Sequence, residues 1–283
     1  MVSPSRRRAA VAFLVRRHKV SERRVCRLLE QHRSTQRYVP QPPDLELQLV
    51  KRMNQIAAEH PRYGYRMVCT LLRDEGFEVN PKRVHRLWRL EGHQVPRWRG
   101  TQGKRAQGDS SNAVWNLRAI RPNQIWSYDF VMTRTDDGLP VRVLNVVDEF
   151  SRVAVACRVA RSLGTRDVIA TLEEAFKLHG KPAMLRSDNG REFISATLAA
   201  WLFERGVGQA FIEKGSPQQN PFVERFNRTM RNEVLNGEHF QSVLEAQVMI
   251  QRWIEEYNTL RPHRGLDMKT PLAFLAGSKV GRT

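Results

Sequence analysis

Cysteine is scarce in this chain. There are three in 283 residues, Cys26, Cys69 and Cys157, far apart and without a C-x-x-C pair. That excludes a disulfide framework or a cysteine-rich zinc site as the organising device, and it suits a reducing compartment. Long hydrophobic runs are also missing. No segment approaches the ~18 apolar residues of a membrane span, and nothing near the start has the form of a signal peptide, so the expected location is the cytoplasm. There is no internal repeat, no low-complexity tract and no heptad pattern sustained enough to make a dimer seam. Acidic residues are thin in the first part of the chain. Residues 1–108 hold 24 Lys+Arg against 9 Asp+Glu, a net of +15, whereas residues 109–283 hold 23 against 20, a net of +3.

That split implies a polyanion grip in the first part and a nearly neutral body behind it. Helical spacing of Ala9, Ala10, Phe13 and Leu14, then of Val25, Leu28 and Leu29 after Ser21, predicts two or three short helices over 1–39 in the rhythm of a helix-turn-helix. Pro40 to Pro43 break the chain. A second module spans 40–96, with Leu45, Leu49, Met53 and Ile56 on one stripe, Val68, Leu71 and Leu72 on the next helix, Gly76 as a stop, and Asn80-Pro81 starting a helix with Val84, Leu87 and Trp88 inward. Residues 97–114, poor in large apolar residues, read as a flexible basic linker.

From 115 to 278 the pattern becomes that of an α/β domain. Strands are expected at 125–133, 141–147, 153–159, 183–186 and 207–212. Helices are expected at 165–178, 194–204, 222–236 and 242–257, with a closing segment after them and a tail at 279–283. Three sequential strands followed by alternating helices and strands describe a mixed five-stranded sheet with flanking helices. Asp129 falls within the first strand and Asp188 at the end of the fourth. Glu224 lies on a helix at the edge of the stripe formed by Val223, Phe226, Met230 and Val234, with Asn227, Arg228 and Arg231 on its side. Three crowded carboxylates repel one another and become sensible around divalent cations. A magnesium pair roughly 3.5–4 Å apart serves phosphodiester transfer well. Other acids compete: Asp148 and Glu149 at a strand end, where Asp148 is better suited to fixing the turn toward Ser151-Arg152, and Glu192, better suited to capping the helix near Phe193. His263 fits a structural hydrogen bond, and the cysteines fit packing.

Several motifs converge on one family. Asp129, Ser187-Asp188-Asn189-Gly190, the thirty-five residues between Asp188 and Glu224, and Tyr257-Asn258-x-x-Arg261-Pro262-His263 together resemble the integrase catalytic core of bacterial insertion-sequence transposases. The closest group is the third insertion-sequence family, and this chain resembles its second-reading-frame product. Arg62-Tyr63-Gly64-Tyr65-Arg66 and Val79-Asn80-Pro81-Lys82-Arg83-Val84 resemble the helix-turn-helix module that precedes that core, and Ser3 to Tyr38 resembles the family's N-terminal segment.

The resemblance implies a ribonuclease-H-like core in which Asp129, Asp188 and Glu224 hold two Mg2+ ions (Mn2+ as a substitute) for strand cleavage and strand transfer. It also implies duplex DNA as partner, both the element's terminal inverted repeats and the target, together with a homo-oligomer and an upstream-frame product or fusion. The chain would associate with the nucleoid when bound to DNA. Arg62, Tyr63, Arg66, Lys82, Arg83, Lys214, Asn220, Asn227, Arg228 and Arg231 are the expected DNA contacts. Lys214-Gly215-Ser216-Pro217 departs from the common Pro-Gly-Lys-Pro, which bears on loop contacts to DNA. His18, His32, Cys26 and Cys69 lack the spacing of a retroviral-integrase zinc site, so no zinc is expected. A non-catalytic DNA-binding regulator is the rival reading, and a plain nuclease of the same fold a third.

Overall fold

The computed structural model describes residues 4–38, 44–93, 118–213 and 220–280. The proposed linker at 97–114, the break at Pro40 to Pro43, the loop residue Lys214 and residues 281–283 lie outside them. Two compact units divide the chain, 1–51 and 52–283.

In the first unit α1 (Pro4–His18), α2 (Glu22–Leu28) and α3 (Arg33–Arg37) realise the predicted short helices. Val11, Val25 and Cys26 are buried together, with Leu14, Val15, Val20 and Leu29 packed on them. Ser21 stands at the N-cap of α2, but its side chain makes no capping bond. His32 caps α3, its ring accepting from Ser34 N.

The second unit opens with the end of α4 (Asp44–Glu59), then α5 (Tyr65–Asp74) and α6 (Pro81–Leu90). Gly76 follows α5 at φ +90, a left-handed conformation that glycine adopts without strain. Asn80 caps α6 by accepting from Lys82 N, with Pro81 in the first turn. Met53, Ile56, Val68, Leu72, Val84 and Leu87 are buried.

The rest is a mixed sheet of β1 (Ile125–Arg134), β2 (Pro140–Asp148), β3 (Ala154–Ala160), β4 (Met184–Ser187) and β5 (Gly208–Phe211), in the order β3-β2-β1-β4-β5. β1 pairs antiparallel with β2, and β2 with β3; β1 pairs parallel with β4, and β4 with β5. This is the expected ribonuclease-H-like arrangement. Helices cover both faces. Trp126, Tyr128, Leu144 and Val146 pack under α7 (Thr165–His179) and α8 (Ala196–Glu204). Val131, Val141, Val143 and Val147 pack under α9 (Pro221–Met230) and α10 (Val243–Thr259). Strand alternation therefore sends every second residue of β1 toward α9 and α10.

Three details differ from the sequence reading. The helix expected from 194 begins at Ala196, because Ser195 caps it by accepting from Leu198 N. α9 stops at Met230 and continues as one π-helical turn, Arg231–Leu235, closed by Asn236 N donating to Arg231 O at 2.8 Å. The closing segment ends in a further helix, α11 (Pro271–Val280).

Candidate active site

On β1, Trp126 and Tyr128 point toward α7 and α8, so Ser127, Asp129 and Val131 point toward α9 and α10. In the parallel β1–β4 pair Ser127 stands opposite Arg186. Asp129 and Asp188 each lie two residues further on, so Asp188 leaves the end of β4 beside Asp129 on the same face. It does so in an exposed turn in which its Oδ1 accepts from Gly190 N at 3.0 Å. Gly190 is required by close approach: a Cβ there would lie 3.1 Å from that oxygen and 3.2 Å from the Phe193 ring. Phe193 anchors the segment. It is buried, edge-on to Tyr128 and stacked on Phe130 at 5.1 Å.

Glu224 comes from the first turn of α9, whose apolar face buries Val223, Phe226 and Met230. It is half-buried at the edge of that face, and burial raises its carboxyl pKa against the opposing charge of Arg228. Asp129 is pushed up to about 6, first by burial and further by the negative charges of Asp188 and Glu224; Phe130 N–H and the Asn227 amide hold it back. The three acids thus act on one electrostatic locus. Among the described residues, no three His, Cys, Asp or Glu side chains are gathered tightly enough to enclose an ion as they stand.

Residues 119–217 match the integrase core domain family, residues 205–271 a second integrase core domain family, and residues 44–100 the HTH-like domain family. The chain is 36% identical over 257 residues to the uncharacterized 31.7 kDa protein of insertion element IS407 from Burkholderia multivorans, covering 91% of each. It is 34% identical over 279 residues to the 39.2 kDa protein of insertion element IS476 from Xanthomonas euvesicatoria, covering 99% of this chain and 79% of that one. The transposase for insertion sequence element IS904 from Lactococcus lactis is 29% identical over 80% of this chain and 92% of its own. The chain belongs to the insertion-sequence transposase family.

In this transposase the carboxylate of Asp129 is held at both oxygens. Phe130 N donates to Oδ1 at 2.7 Å and Asn227 Nδ2 to Oδ2 at 2.9 Å. Asn227 in turn accepts from Asn145 Nδ2 at 2.8 Å, and Asn145 is the cross-strand partner of Asp129. Both asparagines are buried. Asn227, expected among the DNA contacts, therefore has its amide committed inside the protein. Asn145 was missed, since its partner lies 82 positions away and nothing local to the strand signals it.

The other expected DNA contacts divide by exposure. Arg62, Arg66, Lys82, Arg228 and Arg231 are exposed and Arg83 is half-buried. Asn220 is buried at the N-cap of α9. Tyr63 is only 4% exposed, which turns it inward rather than toward a groove. Of the competing acids, Asp148 accepts from Ser151 N and Oγ, both at 2.7 Å, and from Asn123 N, so it fixes the turn as expected. Glu149 is buried against Ser127 Oγ and Arg186 Nη1. Glu192 does not cap a helix; it pairs with Arg142 at 2.6 Å, and Arg142 also lies over the Phe130 ring. His263 is packed edge-on to Tyr257, and burial pushes its pKa down to about 3.

Proposed function

We propose that this transposase binds the ends of its insertion sequence as duplex DNA and catalyses strand cleavage and strand transfer, with Asp129, Asp188 and Glu224 as catalytic, metal-holding acids. The observation that carries this reading is the carboxyl of Asp129, raised to about 6 by burial and by two neighbouring acids. A buried acid beside two others is unfavourable as it stands and becomes favourable around a divalent cation.

The donor chemistry fits Mg2+, with Mn2+ as a substitute. All three donors are carboxylates, and hard cations of this kind take oxygen ligands. Asp129, Asp188 and Glu224 would hold two ions, which when bound activate the attacking oxygen and stabilise the leaving oxygen of a phosphodiester. The chain's own residues do the positioning. Phe130 N–H and Asn227 fix the plane of Asp129, Gly190 N–H fixes Asp188, and the packed face of α9 holds Glu224. Water is the nucleophile for cleavage, and a DNA 3′-hydroxyl for transfer.

The DNA grip is assigned to 1–39 and 40–96, joined by 97–114 to the core at 115–278. Arg62, Arg66, Lys82, Arg83 and Lys214 would meet phosphates, with Arg228 and Arg231 beside Glu224 on the substrate strand. Partners would be a second copy of the chain and an upstream-frame product, and the bound protein would sit on the nucleoid. The test is cleavage of duplexes carrying the element's ends with magnesium present. Asp129→Asn, Asp188→Asn and Glu224→Gln should each lower cleavage by roughly a hundredfold or more while DNA affinity stays within about threefold. Wild-type cleavage by any one of them would end the assignment.

A further inference from the structure

Two sequence motifs that the site leaves unused, Arg62-Tyr63-Gly64-Tyr65-Arg66 and Arg261-Pro262-His263, meet each other in the fold. Tyr63 lies in the turn before α5, stacked on His60 at 4.4 Å and 11°. The Arg261 guanidinium stands 5.8 Å from the Tyr63 ring and 5.9 Å from the Tyr257 ring. The same guanidinium grips Glu233 through Nη2 at 2.7 Å and Nε at 3.0 Å, and Trp253 Nε1 donates to Glu233 at 3.1 Å. The ion pair is largely buried, at 16% and 10% side-chain exposure. Glu233 belongs to the π-helical turn Arg231–Leu235 that continues α9, the helix carrying Glu224. A π turn inside a helix marks an alternative hydrogen-bond register, and such turns gather at functional sites. A cavity of about 240 Å³ beside these groups, lined among others by His60, Tyr63, Glu233, Met249 and Trp253, leaves the junction room to shift.

We infer that Tyr63 is a positioning residue that couples the helix-turn-helix module to Glu224, acting through Arg261 and Glu233 on the π turn and so on α9. A displacement of the α5–α6 module on DNA reaches the third acid by this route, without any contact between Tyr63 and the substrate. The functional consequence rests on the proposed role of Glu224; the mechanical link does not.

The test is hydrogen exchange on the full chain, comparing wild type with Tyr63→Ala and Tyr63→Phe. Tyr63→Ala should speed exchange of amides in 221–236 about tenfold or more while those of β1 and β2 keep their protection. Tyr63→Phe, which keeps the ring beside Arg261, should stay within about twofold of wild type. Unchanged exchange in 221–236, or acceleration spread equally over the sheet, would overturn the link. If Tyr63→Ala does not fold, Tyr63→Leu carries the same two outcomes, keeping an apolar plug without the aromatic face. A second arm uses duplexes with the element's ends. Single-turnover cleavage at saturating DNA should fall about tenfold in Tyr63→Ala, with affinity within about threefold. Lost affinity with an intact cleavage rate would make Tyr63 a DNA contact and overturn the link. Failure of the wild type to cleave would count against the catalytic reading alone, and the exchange arm would then decide the coupling.

Discussion

Asp129 is the residue whose state responds most to pH. Its carboxyl sits at about 6 in the folded chain, above the ordinary 3.8, chiefly because it is buried. Between those values the folded state holds a proton that the unfolded state has released, so without divalent ions stability falls as pH rises from about 4 to about 6. Asp129→Asn should therefore stabilise the metal-free protein at pH 7.5 by about 1–3 kcal/mol and give no such gain below about pH 4, as denaturant titrations at the two pH values will show. Magnesium binding, followed by calorimetry, should weaken as pH drops below about 6, because the ligand must be ionised. Asn227→Ala removes the amide on Asp129 and strands Asn145 Nδ2, both in buried surroundings. It should cost about 1–3 kcal/mol of stability and also lower cleavage, a pairing that loss of a surface DNA contact would not produce. At this scale the sequence was only partly legible. The acids stood out by type and spacing. Asn227 read as solvent-facing because its partners, Asp129 and Asn145, are 98 and 82 positions away.

At the scale of elements the sheet was readable to within a few residues, since alternation in β1 to β3 and the Gly180-Lys181-Pro182 stop are local signals. The π turn after Met230 was not readable. Val223, Phe226, Met230 and Val234 keep helical spacing straight through it, and its anchor is the pairing of Glu233 with Arg261, 28 positions away. The start of α8 was misplaced because Arg142, a strand residue, takes up Glu192 and leaves the capping to Ser195. The turn from β4 to α8 gives a sharper test. Gly190→Ala must push against Asp188 Oδ1 and Phe193 together. It should lower cleavage about tenfold or more for a loss of only ~1–2 kcal/mol of stability. Gly64→Ala, where an added Cβ meets nothing within 4 Å, should spare both, and parallel assays of the two variants make the comparison direct.

For the whole molecule the charge split governs DNA affinity. With a net of +15 in residues 1–108 and +3 in the rest, most phosphate contacts should come from the first part. Replacing exposed Arg66, Lys82 and Arg89 by alanine in the full chain should reduce the slope of log affinity against log salt by up to about 3, near one for each phosphate released. An unchanged slope would mean that these cations face only solvent. Composition made that grip legible, and motif spacing made the catalytic family legible. The internal seat of Tyr63 was not legible, because an aromatic between two arginines reads equally well as a groove contact. The central claim, that three acids of this fold transfer DNA strands, is met most directly by joining a duplex with a recessed element-end 3′-hydroxyl to plasmid DNA in magnesium. Wild type and Asp148→Asn, provided the latter folds, should form joined product, and Asp129→Asn should form about a hundredfold less at equal DNA occupancy. Equal product from wild type and Asp129→Asn would contradict it.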